Sequence, residues 1–96
     1  MFEMRKTDTY LRCVDGLRDV RGRARVLGRV ERLAAGHPGD VGPVGEGASE
    51  LRIDHGPGYR IYFTRRGRAT VILLNGGDKD SQDRDIKVAK RLARNL

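Results

Sequence analysis

Arg52, Arg60 and Tyr62 are the residues of this chain whose types and spacing best suit chemistry on an anion. They stand in two alternating segments, Glu50-Leu51-Arg52-Ile53-Asp54 and Tyr59-Arg60-Ile61-Tyr62-Phe63-Thr64. The turn residues His55-Gly56-Pro57-Gly58 separate them, which predicts a β-hairpin. Successive strand side chains point to opposite faces. Placing Leu51, Ile53, Ile61 and Phe63 on the core face therefore sets Glu50, Arg52, Asp54, Arg60, Tyr62 and Thr64 on the other. One permitted register puts Arg52 opposite Arg60, the other puts it opposite Tyr62, and the three side chains cluster in both. Like charges directly across a sheet are destabilising. An incoming phosphate would relieve the repulsion; so would ordinary cross-strand salt bridges to Glu50 and Asp54, and periodicity leaves both open.

Other reactive types are sparse. His55, in the hairpin turn, is the histidine nearest this face, and imidazole is the side chain best suited to proton transfer near neutral pH. His37 lies in a Gly/Pro loop away from it. Cys13 is expected to be a small buried or half-buried hydrophobe, because no base partner for a nucleophilic thiol can be identified. Arg18, Arg21, Arg25, Arg29 and Arg32 recur at spacings of three and four, which lines five guanidiniums along one stripe of a helix. That stripe reads either as a phosphate track or as a solvated face partly paired with Asp19 and Glu31.

The elements that must hold these residues follow from pattern. Phe2 and Met4 alternate with charged residues as a short first strand, and Thr7 or Asp8 caps a helix whose apolar stripe is Tyr10, Val14 and Leu17. A second helix spans Asp19 to Ala35, with Val20, Ala24, Leu27, Val30 and Ala34 along one face, and stops at Gly36. The hairpin follows. Arg66-Gly67 then turns into Ala69-Thr70-Val71-Ile72-Leu73-Leu74, an apolar run suited to a central strand covered on both faces. Ile86, Ala89, Leu92 and Leu96 mark a last helix, with Lys87, Lys90, Arg91 and Arg94 pointing away from the stripe. The expected class is α+β: a small antiparallel sheet against an N-terminal helical hairpin and a C-terminal helix. Its order is β-α-α-β-β-β-α, with a minor strand at Val41–Val44 as an option.

At 96 residues the chain forms one domain, residues 1–96, and a multidomain enzyme is excluded. One cysteine and two distant histidines argue against a structural metal. No apolar run approaches the roughly 20 residues of a membrane span, and Met1-Phe2-Glu3-Met4-Arg5-Lys6 lacks a signal peptide's hydrophobic stretch, so a cytoplasmic location is expected. The net charge is +7, and sixteen of the 20 cations are arginine. Both ends are basic, while residues 36–63 carry two cations and four anions. Arginine's planar fork matches phosphate oxygens, so the balance favours a polyanionic partner.

Four strings in order, G-H-P-G-D (36–40), V-G-E-G-A-S-E-L-R-I-D (44–54), G-P-G-Y-R-I-Y-F (56–63) and L-L-N-G-G-D-K-D-S-Q-D-R-D-I (73–86), span most of the chain. Together they resemble the phage-derived addiction-module killer proteins of the RelE/ParE toxin superfamily, close to HigB-type toxins. The resemblance implies a toxin of a type II toxin–antitoxin pair with a RelE-like domain. Its partner would be a cognate antitoxin, commonly of helix-turn-helix type. It implies no cofactor and no metal.

Within that superfamily the RelE-like branch is associated with cleavage of mRNA on the ribosome, and the ParE-like branch shares the fold but inhibits DNA gyrase. Fold alone does not choose between them. Metal-independent RNA cleavage needs assistance in deprotonating the 2′-hydroxyl, stabilisation of the phosphorane charge and protonation of the departing 5′-oxygen. On this reading the catalytic candidates are Arg52 and Arg60 as a phosphate clamp, Tyr62 as an orienting group or proton donor, and Lys79 as a further cation or proton carrier. His55 is a less central candidate. Arg18, Arg21, Arg25, Arg29, Arg32, Lys87, Lys90 and Arg91 would bind RNA on the ribosome. Two alternatives stand beside this reading: a gyrase inhibitor in which Arg52 and Arg60 are structural, and a non-catalytic, decayed RNA-binding toxin.

Overall fold

Both N-terminal helices begin where a short polar side chain holds a backbone N–H that has no partner within the helix. Thr7 Oγ1 accepts from Tyr10 N at 3.0 Å, and Asp19 Oδ1 accepts from Gly22 N at 2.9 Å. A computed structural model describes residues 1–96. Its elements are β1 (Glu3–Lys6), α1 (Asp8–Asp15), α2 (Val20–Ala34), β2 (Val41–Gly45), β3 (Ala48–Ile53), β4 (Tyr59–Arg66), β5 (Thr70–Gly77) and α3 (Gln82–Arg94). The class is α+β, with five strands in the order β1-β5-β4-β3-β2.

Two features differ from the sequence expectation. The minor strand is a full member of the sheet, β2, so the order is β-α-α-β-β-β-β-α. The sheet is also mixed rather than antiparallel, because β1 lies parallel beside β5, with Glu3 against Thr70 and Lys6 against Leu73. The remaining pairs are antiparallel. A parallel neighbour needs a long connection, so nothing close to β1 in sequence signals its partner.

The sheet carries a core on each face. Tyr10 and Val14 of α1 and Val26, Val30 and Leu33 of α2 pack on Leu51, Ile53, Tyr59, Ile61, Phe63, Val71 and Leu73. On the opposite face Ala89 and Ala93 of α3 pack on Ala48, Tyr62, Ile72 and Leu74. The apolar run of β5 is thus explained, since Val71 and Leu73 serve one core and Ile72 and Leu74 the other. A register shift against β4 between Tyr62 and Phe63 leaves Leu74 unpaired in the ladder. Such a bulge lets consecutive residues serve one face, and Leu74 and Asn75 both meet α3, where Asn75 Nδ2 donates to Asp85 O at 3.0 Å.

The buried face of α2 is rotated from the expected one. It consists of Gly22, Val26, Val30 and Leu33, while Val20 is 80% exposed. Gly22 is the reason. A Cβ there would lie 2.5 Å from the Tyr59 ring, so glycine alone admits that ring against the helix. In α3 the buried residues are Asp85, Ala89 and Ala93, with Ile86 and Leu92 at the margin, and Leu96 is exposed beyond the helix end. No helix is long and apolar enough to cross a membrane.

Candidate functional site

The hairpin adopts the register in which Arg52 faces Arg60 and Glu50 faces Tyr62. What sits between the two guanidiniums is Glu50, whose side chain is 3% exposed. Its Oε2 accepts from Arg52 Nε at 3.0 Å, and its Oε1 accepts from Gln82 Nε2 at 2.6 Å. Tyr62 Oη donates to the same Oε1 at 3.4 Å, and Arg60 Nε lies 3.4 Å from it as an ion pair without hydrogen-bond alignment. A buried carboxylate is tolerated only when paired and hydrogen-bonded. Four neighbours from three elements meet that requirement here. Asp54, expected to share the neutralisation, is exposed and forms no ion pair; Asp40 takes its place, accepting from Arg52 Nη1 at 2.9 Å. The hydrogen bonds to Asp40 and then Glu50 raise the Arg52 guanidinium above its already high range.

Glu50 and Asp40 do not consume all the donors. Arg60 Nη1 donates to Gly58 O at 3.0 Å, and the Nη2 atoms of Arg52 and Arg60 donate to nothing in the chain. Both arginines line an open depression of about 400 Å³, in which Ile53 is the single hydrophobic residue. Lys79 completes its cationic lining, beside Asp40 and Asp54. The turn after β5 delivers Lys79: Asp78 Oδ1 accepts from Asp80 N at 2.9 Å and Ser81 N at 3.2 Å, which folds the segment, and Lys79 N donates to Pro57 O in the hairpin turn at 3.4 Å. The depression therefore offers two guanidinium edges and an ammonium to an anion, above a carboxylate that fixes the guanidiniums from beneath.

Two expected members stand elsewhere. Tyr62 was expected on an open face with the arginines, but α3 covers that face and the residue is 0% exposed. Burial first, then the nearby Glu50 and Asp85 carboxylates, raises its phenol well above the ordinary value. Such a group holds Glu50 in place and does not meet a ligand in the depression. His55 turns toward α2, stacked on Tyr59 with ring centroids 6.5 Å apart, its Nε2 3.6 Å from Asp19 Oδ2. Tyr59 is buried and donates to the same Asp19 oxygen at 3.0 Å, consistent with its core-facing parity.

The family model of the phage-derived Gp49-like proteins matches residues 17–95. The chain belongs to this family. Gp49-like proteins are associated with toxin–antitoxin addiction modules. The chain is also 44% identical over 94 residues to an uncharacterized protein of Haemophilus influenzae, covering 98% of this chain and 95% of the relative. In this Gp49-like chain Asp40, Glu50, Arg52, Arg60, Lys79 and Gln82 all fall within the matched span, whereas β1 and α1 precede it.

Glu50 and Gln82 as partners, and Asp40 as the second acid, are what sequence reasoning missed. Glu50 and Gln82 both stand in the quoted strings, 32 positions apart, and only the packing of α3 on the hairpin joins them. The basic residues of the Gp49-like chain divide. Arg18, Arg21, Arg25 and Arg32 are exposed along α2 and its approach, but Arg29 is half-buried, donating to Arg52 O at 2.6 Å and Pro38 O at 2.7 Å, so it ties β3 and the Pro38 loop to α2. Lys87 and Arg91 are exposed on α3, and half-buried Lys90 lies against Gly45. Because α2 and α3 cover opposite faces of the sheet, the two basic stripes do not form one surface.

Proposed function

We propose that this chain is the toxin of a type II toxin–antitoxin pair, of the RelE/ParE superfamily and HigB-like. We further propose that it cleaves mRNA on the ribosome with the RNA's own 2′-hydroxyl as nucleophile. The observation that carries the reading is the convergence of Arg52, Arg60 and Lys79 on one open polar depression. In the reaction the 2′-oxygen forms a bond to phosphorus and passes its proton to solvent water, which reaches the open depression, while the bond from phosphorus to the 5′-oxygen breaks and that oxygen gains a proton from Lys79. The products are a 2′,3′-cyclic phosphate and a 5′-hydroxyl. The guanidinium edges of Arg52 and Arg60 hold the non-bridging oxygens and take up the charge that develops on them. Lys79 adds the third cation and is the exposed donor placed to protonate the leaving oxygen. Tyr62 and Glu50 act beneath the site by fixing the clamp. The antitoxin would neutralise the toxin, and the stripes of α2 and α3 would grip ribosomal RNA from two sides.

One observation favours a second reading. Glu50 already compensates both arginines, as structural salt bridges would, and a gyrase-inhibiting toxin of the same superfamily needs no phosphate clamp. Induced expression, with mapping of mRNA 5′ ends and a plasmid supercoiling assay in the same cells, separates the two. New 5′-hydroxyl ends within translated messages support the nuclease; loss of supercoiling with intact messages supports the gyrase inhibitor.

A further inference from the structure

Arg60 lines a second cavity as well as the depression, so the two recesses adjoin at the same end of the sheet. This second recess has a volume of about 310 Å³ and lies between the end of α1 and the start of α3. Its chemistry is unlike that of the first. Val14, Leu17 and Ile61 supply apolar walls, and at buried Gly76 a Cβ would press on Ile61 and the Arg60 carbonyl. At the α3 side stand the Asp85 carboxylate and the Arg84 guanidinium, with Arg84 Nε 4.0 Å from Asp85 Oδ1. A recess of this size with apolar walls and a few convergent polar groups suits a small planar ligand.

We propose that this recess is a nucleobase subsite, selective for guanine, beside the phosphate site. The inference rests on the reading of the chain as an RNA-cleaving toxin and adds which nucleotide it reads. A splayed-out base presents a flat apolar surface to walls such as Val14, Leu17 and Ile61, and its hydrogen-bonding edge to polar groups. Asp85 Oδ2 accepts from Ser81 Oγ, and a carboxylate has about four acceptor positions, so acceptor capacity remains. Guanine is the base whose Watson–Crick edge carries two adjacent donors, N1–H and N2–H₂, with the O6 acceptor next to them. A carboxylate takes both donors and an arginine beside it takes O6. Adenine and cytosine would each turn a ring-nitrogen acceptor toward the carboxylate, and uracil offers one donor flanked by two carbonyl oxygens. Because both recesses meet at Arg60, a nucleotide whose base occupies one has its phosphate close to the other.

The test uses the full-length protein and the four nucleoside 3′-monophosphates as probes, without ribosomes. Guanosine 3′-monophosphate is expected to bind on the order of tenfold more tightly than the adenosine compound, as a bidentate edge contact gives. Asp85→Asn should abolish the ranking. Because Asp85 also packs on Gly77 and Ser81, a second readout uses the unaltered chain. Cys13 lines the recess and is half-buried, so saturating guanosine 3′-monophosphate should slow its alkylation by iodoacetamide several-fold, and adenosine 3′-monophosphate at the same concentration should not. Equal binding of all four nucleotides, or equal protection by guanosine and adenosine, overturns the subsite. Its fate is separable from that of the nuclease. Cleavage without nucleotide selectivity sinks the subsite alone, and guanosine selectivity without any cleavage sinks the nuclease alone.

Discussion

Lys79 is the cation of the depression that forms no ion pair within the chain, and this makes it the cleanest probe of chemistry. Replacing Arg52 or Arg60 uncovers Glu50, so lost activity would mix catalysis with folding. Lys79→Ala removes a charge and a proton donor from an exposed turn and leaves the core untouched. Growth inhibition should fall by about 100-fold, the range for loss of one proton-transfer or charge-stabilising group, with an unchanged melting temperature; a fully toxic Lys79→Ala protein would remove Lys79 from the site. Glu50 predicts the converse. Glu50→Ala leaves buried guanidinium and phenol groups without their acceptor and should destabilise the chain by about 3 kcal/mol, the scale for breaking a buried ion pair from one side. That corresponds to roughly 12–24 °C in melting temperature for a domain of this size. Gln82→Ala removes one of the four neighbours and should cost less. Thermal melts of the two variants check the order.

The helices and strands show where sequence was legible and where it was not. Parity narrowed the hairpin to two registers, because a slip of one residue would have turned Leu51 and Ile61 to the wrong face, but it did not choose the observed pairing of Arg52 with Arg60. Residue type offered Thr7 or Asp8 as the first cap, and Thr7 is the one used; Asp19, read as the first residue of the second helix and a partner of the arginine stripe, proves to be its cap. The rotation of α2 was not legible: Val20-Ala24-Leu27 and Val26-Val30-Leu33 are equally periodic, and Gly22, which decides between them by admitting Tyr59, carries no hydropathy signal. The burial of Tyr62 was equally hidden, since local alternation cannot report that α3 will cover the hairpin's second face. Asp19 yields a prediction for these elements. The Gly22 N–H, then the Tyr59 hydroxyl, lowers its carboxyl below the ordinary 3.8. A lowered folded pKa contributes stability above the unfolded value that is lost as pH falls through the folded one. Acid melts should therefore show wild type losing stability below about pH 4 in excess of Asp19→Asn, which has no proton to take up; parallel curves would contradict this. Tyr10 gives another. Its hydroxyl is buried without a partner, so Tyr10→Phe should leave stability unchanged or raise it by about 1 kcal/mol.

The whole molecule presents a +7 chain with basic residues on both sheet faces and a mixed-charge depression at one end. Two separated stripes suit a partner that surrounds the protein better than a single flat duplex. Association with ribosomes should fall steeply with salt, as counterion release requires. Arg21→Glu with Arg25→Glu on α2, and Lys87→Glu with Arg91→Glu on α3, should each weaken co-sedimentation with ribosomes and flatten its salt dependence without altering the melt. If one pair has no effect, that face is solvated surface, and the protein docks by the other.

Mapping mRNA 5′ ends after brief induction, for the wild type and for Lys79→Ala side by side, tests the central claim most directly. The wild type should create new 5′-hydroxyl ends inside translated messages, and Lys79→Ala, equally folded, should leave them nearly absent. Intact messages in cells arrested by the wild-type protein would contradict the account.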